Sequence, residues 1–376
     1  MTLSRIEIIV FSAFFAFMPV TAGAQKLSVG SCTTKDGGEY QGEMSGGKAQ
    51  GKGMATYRNG NRYEGEYVKG KRQGYGVYTF YDGEKYEGEW FQDQQHGLGT
   101  YYFSNNNRYE GLWYRDYQQG QGTMYYFNGD KYEGEWKQDK RSGKGTYTFA
   151  GGAYYKGEWD NDMKNGDGIY DWADGSSYDG HWVDNHRSGK GTYRYADGDV
   201  YTGQWKNDIQ DGKGIYRFKN GDVYEGDYEE GERTGTGLVR YANGDRYSGG
   251  FLNGYKHGRG TFIWANGDRY EGGWTNDKQH GKGKFILNNG DLYEGWWKEG
   301  KIDGECIIHY ADGSKFRGEY KNGKRNGKAI EEDSKGNRFE GSYVDDKRDG
   351  DFVEKDRNGN ITARGTYQSG WRNETN

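Results

Sequence analysis

The sequence predicts an all-β fold: an elongated, twisted, single-layer antiparallel ribbon, or solenoid, of tandem β-hairpins. Three observations carry that expectation. A ring recurs every 23 residues, from Tyr40 through Tyr293 and on to Phe316 and Phe339, which defines 14 units over residues 40–361. Inside a unit, side chains alternate with a period of two. Gly, 68 of 376 residues, falls at fixed places in the unit, while Pro occurs once. A repeat of this length signals an array in which each unit packs on its neighbours.

The first element is Tyr86-Glu-Gly-Glu-Trp90 in a representative unit. Tyr86, Gly88 and Trp90 point one way and Glu87 and Glu89 the other, as in a strand. The second is Gly97-Leu-Gly-Thr-Tyr-Tyr-Phe103, where Gly97, Gly99, Tyr101 and Phe103 are expected to share a face. Units join through Asn128-Gly129, Asp197-Gly198, Asn243-Gly244 and Asn266-Gly267, pairs suited to a type I′ turn, in which both central residues take positive φ. Each unit is therefore a hairpin. About 28 strands at ~4.8 Å predict a ribbon on the order of 130 Å long.

The glycines explain the missing core. Hydrophobic residues are only 32% of the chain, and aromatics alone are 17%. That is too little aliphatic side chain for a large enzyme core, but aromatic rings carry large contact areas. Gly normally weakens a strand. Here its lack of a side chain lets a Tyr or Trp ring lie flat on the backbone, which predicts a ladder along one face. The ladder residues are Tyr86, Trp90, Tyr109, Trp113, Tyr132, Trp136, Tyr155, Trp159, Tyr178, Trp182, Tyr201, Trp205, Tyr270 and Trp274. They are the fold's core and a candidate partner-binding stripe, since a one-layer sheet leaves ring area accessible. The other face, with Glu64, Glu66, Glu87, Glu89, Glu133 and Glu135, should be solvated.

The ends read differently. Residues 1–24 hold Arg5, an apolar run from Ile8 to Val20 and Ala22-Gly23-Ala24, the pattern of a signal peptide cleaved before Gln25. That implies an exported protein: periplasmic, secreted or envelope-associated, or lumenal in a eukaryote. An uncleaved anchor is the alternative. Residues 25–39 form an N-terminal cap segment, and 362–376 a degenerate repeat and tail. Cys306, Ala329 and Phe352 replace the second Gly of Gly-x-Gly in the late units, and Glu331-Glu332-Asp333 and Glu354-Lys355-Asp356 replace aromatic residues, as a polar capping repeat requires.

Chemistry is sparse. There are 52 Lys plus Arg against 57 Asp plus Glu, so the basic footprint of a nucleic-acid binder is missing. Gly51-Lys52-Gly53 lacks the strand-loop-helix setting of a phosphate loop. His96, His257 and His280 share a column but read as solvated loop residues. Asp197-Gly198-Asp199 lacks the other ligands of a calcium loop. No catalytic residue, cofactor or metal site is expected. Cys32 and Cys306 are too far apart along such a ribbon to bridge, so an unpaired Cys32 offers a thiol for linking two chains.

Tyr132-Glu-Gly-Glu-Trp136 followed by Gly143-Lys-Gly-Thr-Tyr147, with Asp/Asn-Gly turns, resembles the MORN (membrane occupation and recognition nexus) repeat. The resemblance implies an elongated β-ribbon acting as a scaffold or self-association module and, in some members, at membranes. The expected function is a non-catalytic, exported protein-interaction rod that binds a protein partner or a second copy of itself. A peripheral membrane or phospholipid-binding protein is the alternative. An envelope glycan-acting enzyme using repeat carboxylates is the third reading.

Overall fold

The computed structural model describes residues 27–374. The signal-peptide reading of residues 1–24 lies outside the described residues. The chain divides into two compact bodies, with described residues 27–127 and 128–374. The fold is all-β. No helix occurs among the described residues, and in each body the strands follow one another as antiparallel hairpins. The first body runs from strand Ser28–Thr33 to Tyr117–Tyr125, the second from Lys131–Lys137 to Trp371–Glu374.

One repeat consists of a seven-residue strand and a nine-residue strand. Lys131–Lys137 pairs with Lys140–Thr148, Tyr132 standing opposite Tyr147 and Gly134 opposite Gly145. The register then shifts, and Trp136 stands opposite Arg141. This β-bulge recurs in the repeats and corrects one sequence expectation. Gly143, the first Gly of Gly-x-Gly, does not join Gly145 on the ladder face. It takes φ of +58°, and a methyl there would point at the Glu135 carboxylate on the opposite face. Gly97 does the same, at φ +59° against Glu89. An extra residue in one strand forces a left-handed residue, which Gly adopts without strain.

The turns are a second correction. Gln138 and Asp139, joining the two strands of the unit, both have positive φ (50° and 65°) and form the two-residue turn with type I′ signs. The Asn/Asp-Gly turns between units are longer. Tyr195 donates its N–H to Asp199 O at 2.9 Å and accepts from the Gly198 N–H at 3.0 Å, and in this turn Gly198 alone has positive φ. That is a three-residue loop ending in a left-handed Gly. Its side chains are occupied by the fold: Asp197 accepts the Asp199 N–H at 3.1 Å, and Asp199 accepts the Tyr216 hydroxyl at 2.7 Å and the Lys219 N–H at 2.8 Å.

Candidate interaction surface

The ladder is built from two glycines and two rings. A methyl on Gly145 would come within 2.6 Å of the Tyr132 ring, and one on Gly134 would meet the Gly145 α-carbon at 2.5 Å. The Tyr132 ring therefore lies across a bare Gly–Gly pair. It meets its own Trp136 edge-on at 5.2 Å between centroids, and Trp159 of the next unit at 5.4 Å. T-shaped contacts of this length are the favoured aromatic geometry. Tyr155 repeats the pattern with Trp159 at 5.1 Å and Trp182 at 5.6 Å.

Both polar tips are satisfied. The Tyr155 hydroxyl donates to Glu158 O at 2.9 Å, the carbonyl beside the bulge. Tyr86 does so to Glu89 O at 2.9 Å, and Tyr178 to His181 O at 3.1 Å. The Trp159 indole N–H donates to Gly145 O, and that of Trp182 to Gly168 O. The bulge thus gives the ring a carbonyl to reach. Burial pushes the Tyr224 phenol up to about 12.

All fourteen ladder residues named from the sequence are buried, none above 7% exposed: Tyr86, Trp90, Tyr109 and Trp113 in the first body, and Tyr132, Trp136, Tyr155, Trp159, Tyr178, Trp182, Tyr201, Trp205, Tyr270 and Trp274 in the second. They are core. A second aromatic row, half-buried, is formed by Tyr147, Phe149, Tyr170, Trp172, Tyr193 and Tyr195, with neighbouring centroids 4.4 to 5.8 Å apart, and exposed rings such as Tyr75, Tyr81 and Trp296 lie outside both.

Sequence reasoning missed a column of cations. Nine residues after the Tyr of successive units stand Arg72, Arg141, Lys164, Arg187, Arg233 and Lys256, with Gln at Gln95, Gln118, Gln210 and Gln279. The Arg141 guanidinium sits 4.4 Å from the Trp159 ring and donates to the Asp162 carboxylate and carbonyl, both at 3.0 Å. Arg187 does the same with Trp205 and Asp208. Lys164 differs from these two arginines. Its amine lies 4.2 Å from the Trp182 ring and 4.8 Å from Tyr170, and the turn beside it offers Asn185 in place of an aspartate. Burial pushes its pKa down to about 8, outweighing the Asp208 carboxylate. The signal was the 23-residue recurrence of Arg, Lys or Gln at that place.

The late units differ. Cys306, Ile308, Phe316, Ala329, Phe339 and Phe352 form a buried cluster. Glu331 pairs with Arg348, whose guanidinium lies 3.7 Å over the Phe339 ring, and Glu354 pairs with Arg372. Both cysteines are free. Cys32 is half-buried opposite Tyr40, and burial pushes the Cys306 thiol up to about 12.

A ring, two glycines and a bulge, repeated from unit to unit and varied in the late ones, define a tandem β-hairpin repeat protein. The MORN repeat profile matches 13 consecutive segments, from residues 40–62 to 316–338. The chain belongs to the MORN repeat family. No curated protein matches it. Among solved structures, the TCP domain of Drosophila melanogaster SAS-4, in complex with a proline-rich motif, is 18% identical, with 46% of this chain and 81% of that one covered and a TM-score of 0.21. The TCP10 domain of Danio rerio CPAP, in complex with a STIL peptide, is 14% identical over 72% of this chain and 95% of that one, at a TM-score of 0.18. Virginiamycin B lyase from Staphylococcus aureus is 10% identical over 82% and 96%, at 0.14.

Proposed function

We propose that the chain is an exported, non-catalytic scaffold that holds a protein partner or a second copy of itself along its repeats. One observation carries this reading. The side chains that repeat are spent on the fold: Tyr and Trp in the ladder, Gly beneath the rings and at the turns. The side chains that differ between units lie on the outside, such as Tyr75, Leu98, Leu112 and Trp296, all exposed. A constant frame with a varied surface suits recognition, since exposed aromatic and apolar residues are enriched at interfaces. The reading of residues 1–24 as a leader adds export.

The test uses the natural chain. Amino-terminal sequencing of the protein from its native host is expected to begin at Gln25; a start at Met1 in the membrane fraction establishes the uncleaved anchor instead, and a start at Met1 in the cytosolic fraction overturns export. Cross-linking in the envelope fraction, with light scattering on the purified chain, is expected to yield a stoichiometric protein partner or a defined oligomer. A lone monomer overturns the scaffold, and flotation with anionic vesicles in place of a protein partner establishes the membrane alternative instead.

A further inference from the structure

The column three residues after each ladder ring faces solvent. In most units its side chain folds over the left-handed Gly of the bulge. In four of them a carboxylate there accepts the next N–H: Glu43 from Lys52 at 2.8 Å, Glu89 from Leu98 at 3.3 Å, Glu135 from Lys144 at 3.2 Å and Asp227 from Thr236 at 3.1 Å. Leu112, His181 and Gln204 cover the Gly in other units, while in these four the niche takes a carboxylate.

Two adjacent units lack it. Gly250 and Gly273 occupy the column, and a methyl on Gly258 or Gly281 would meet nothing within 4 Å. The residues whose N–H groups lose that carboxylate are Arg259 and Lys282. Both side chains are exposed, and neither forms an ion pair among the described residues. The nearby carboxylates are already taken: Glu271 by Arg269, Glu294 by Lys284, and Glu305 by Arg317 at 2.7 Å. The following unit puts Trp296 in the same column, 46% exposed, with the Lys282 amine 5.2 Å from its ring. Arg259, Lys282 and Trp296, with the paired Glu271, Glu294 and Glu305, line an open trough of about 680 Å³.

We propose that this trough binds an extended acidic segment of a protein partner. Two carboxylates take the niches left by Gly250 and Gly273, beside Arg259 and Lys282, and an apolar side chain lies on Trp296. The spacing sets the motif. Equivalent positions in adjacent units are two strands apart, or about 10 Å, and one three-residue turn of polyproline II chain rises about 9 Å and brings every third side chain to the same edge. The fitting sequence is therefore Glu-x-x-Glu-x-x-Phe, one anchor per unit. The inference rests on the scaffold reading and names the chemistry of its partner.

The test is fluorescence anisotropy of a fluorescein-labelled Glu-Ser-Ser-Glu-Ser-Ser-Phe peptide with the full chain. Saturable binding is expected, weakened about ten-fold or more by Arg259→Gln with Lys282→Gln, since truncating charges at a recognition surface removes both steering and contact. Trp296→Glu, which installs the residue that the next unit carries at Glu319, is expected to weaken it comparably. The peptide with Gln for both Glu is expected not to bind. Both cations are exposed, so thermal melting should match the parent chain. No saturable binding, equal binding of the Gln peptide, undiminished binding by the double variant, or binding of phosphatidylserine vesicles without the peptide each overturns the proposal. A cross-linked natural partner that the double variant still holds refutes the trough and leaves the scaffold standing.

Discussion

Residues 132–292 and residues 293–367 start from one repeat and solve the packing problem differently. In the first stretch each ladder ring lies over two bare glycines and anchors its hydroxyl on the bulge carbonyl, as Tyr155 does on Glu158 O. In the second, Cys306, Ala329 and Phe352 put a side chain beneath the ring. A methyl on Gly318 would already be 2.9 Å from the Ala329 Cβ. A ring propped up in this way cannot reach the carbonyl. Tyr293 is only half-buried, and the next two units dispense with the hydroxyl and use Phe316 and Phe339. The indole bond also ends here: the Trp297 indole nitrogen is buried with no partner, and Tyr320 and Tyr343 follow, although Tyr228 and Phe251 already stand in the Trp column of the first stretch. The second Gly and the hydroxyl therefore act as one device, while the bulge persists at Gly295/Trp297 and Gly318/Tyr320 without them.

The most direct way to break the comparison is to truncate the indole column. Trp159→Ala removes a buried ring, its edge contacts with Tyr132 and Tyr155, and its bond to Gly145 O. The expected cost is about 3–5 kcal/mol. Tyr320→Ala at the matching place removes a half-buried ring and should cost about 2 kcal/mol. Hydrogen exchange on the strands flanking each site measures both. Equal losses would show that the two stretches share one core after all.

Alkali offers the next contrast. Burial holds the ladder phenols above their ordinary value, Tyr224 at about 12. Above pH 10 the unfolded chain releases phenolic protons that the folded chain keeps. The folded state then binds more protons, and stability falls as pH rises, by about 1.4 kcal/mol per pH unit for each such Tyr. Phe316 and Phe339 release none, so the Phe-bearing units lose only what phenols such as Tyr320, pushed up to about 12 by burial, release. Exchange followed above pH 10, with tyrosinate absorbance alongside, should show residues 132–292 opening before the Phe-bearing units.

The period, the strands and the buried Tyr and Trp were legible in the sequence, because 23-residue recurrence and two-residue alternation are local signals. The bulge was not. Gly97 and Gly99 look equivalent in a linear sequence, yet one is left-handed against Glu89 and the other lies under Tyr86. The turn types were exchanged for the same reason: an Asn-Gly pair fits several turns, and the bulged register decides that Gln138-Asp139 takes the two-residue one. The cation column and the carboxylate niche both depend on contacts with a neighbouring strand or unit, which no single unit displays.

The hydroxyl tests the coupling itself. Tyr155→Phe removes one hydrogen bond to a partly buried carbonyl and should cost about 1 kcal/mol. Phe316→Tyr should gain nothing while Ala329 stands below the ring. With Ala329→Gly added, the hydroxyl has its path back, and the double-mutant cycle should show a favourable coupling of at least about 0.5 kcal/mol. Additive effects in urea denaturation would separate the hydroxyl from the glycine.

The smallest effect lies within the first stretch, between Lys164 and its neighbour Arg187. Arg187 has the Asp208 carboxylate, whereas Lys164 has rings and Asn185. Its folded pKa of about 8 is below the ~10.4 of an unfolded lysine. Between those values the unfolded chain binds a proton that the folded chain does not, so stability rises with pH across that window and is lost as pH falls through about 8. Lys164→Gln, the residue type at Gln210, should reduce the slope to what Lys256, also lowered by burial, contributes. Thermal melts of parent and variant between pH 7 and pH 10 read the difference before the phenols ionise. A parent chain with no slope would mean that the amine escapes its aromatic neighbours into water, and that the carboxylate beside Arg187 is not what sets the two positions apart.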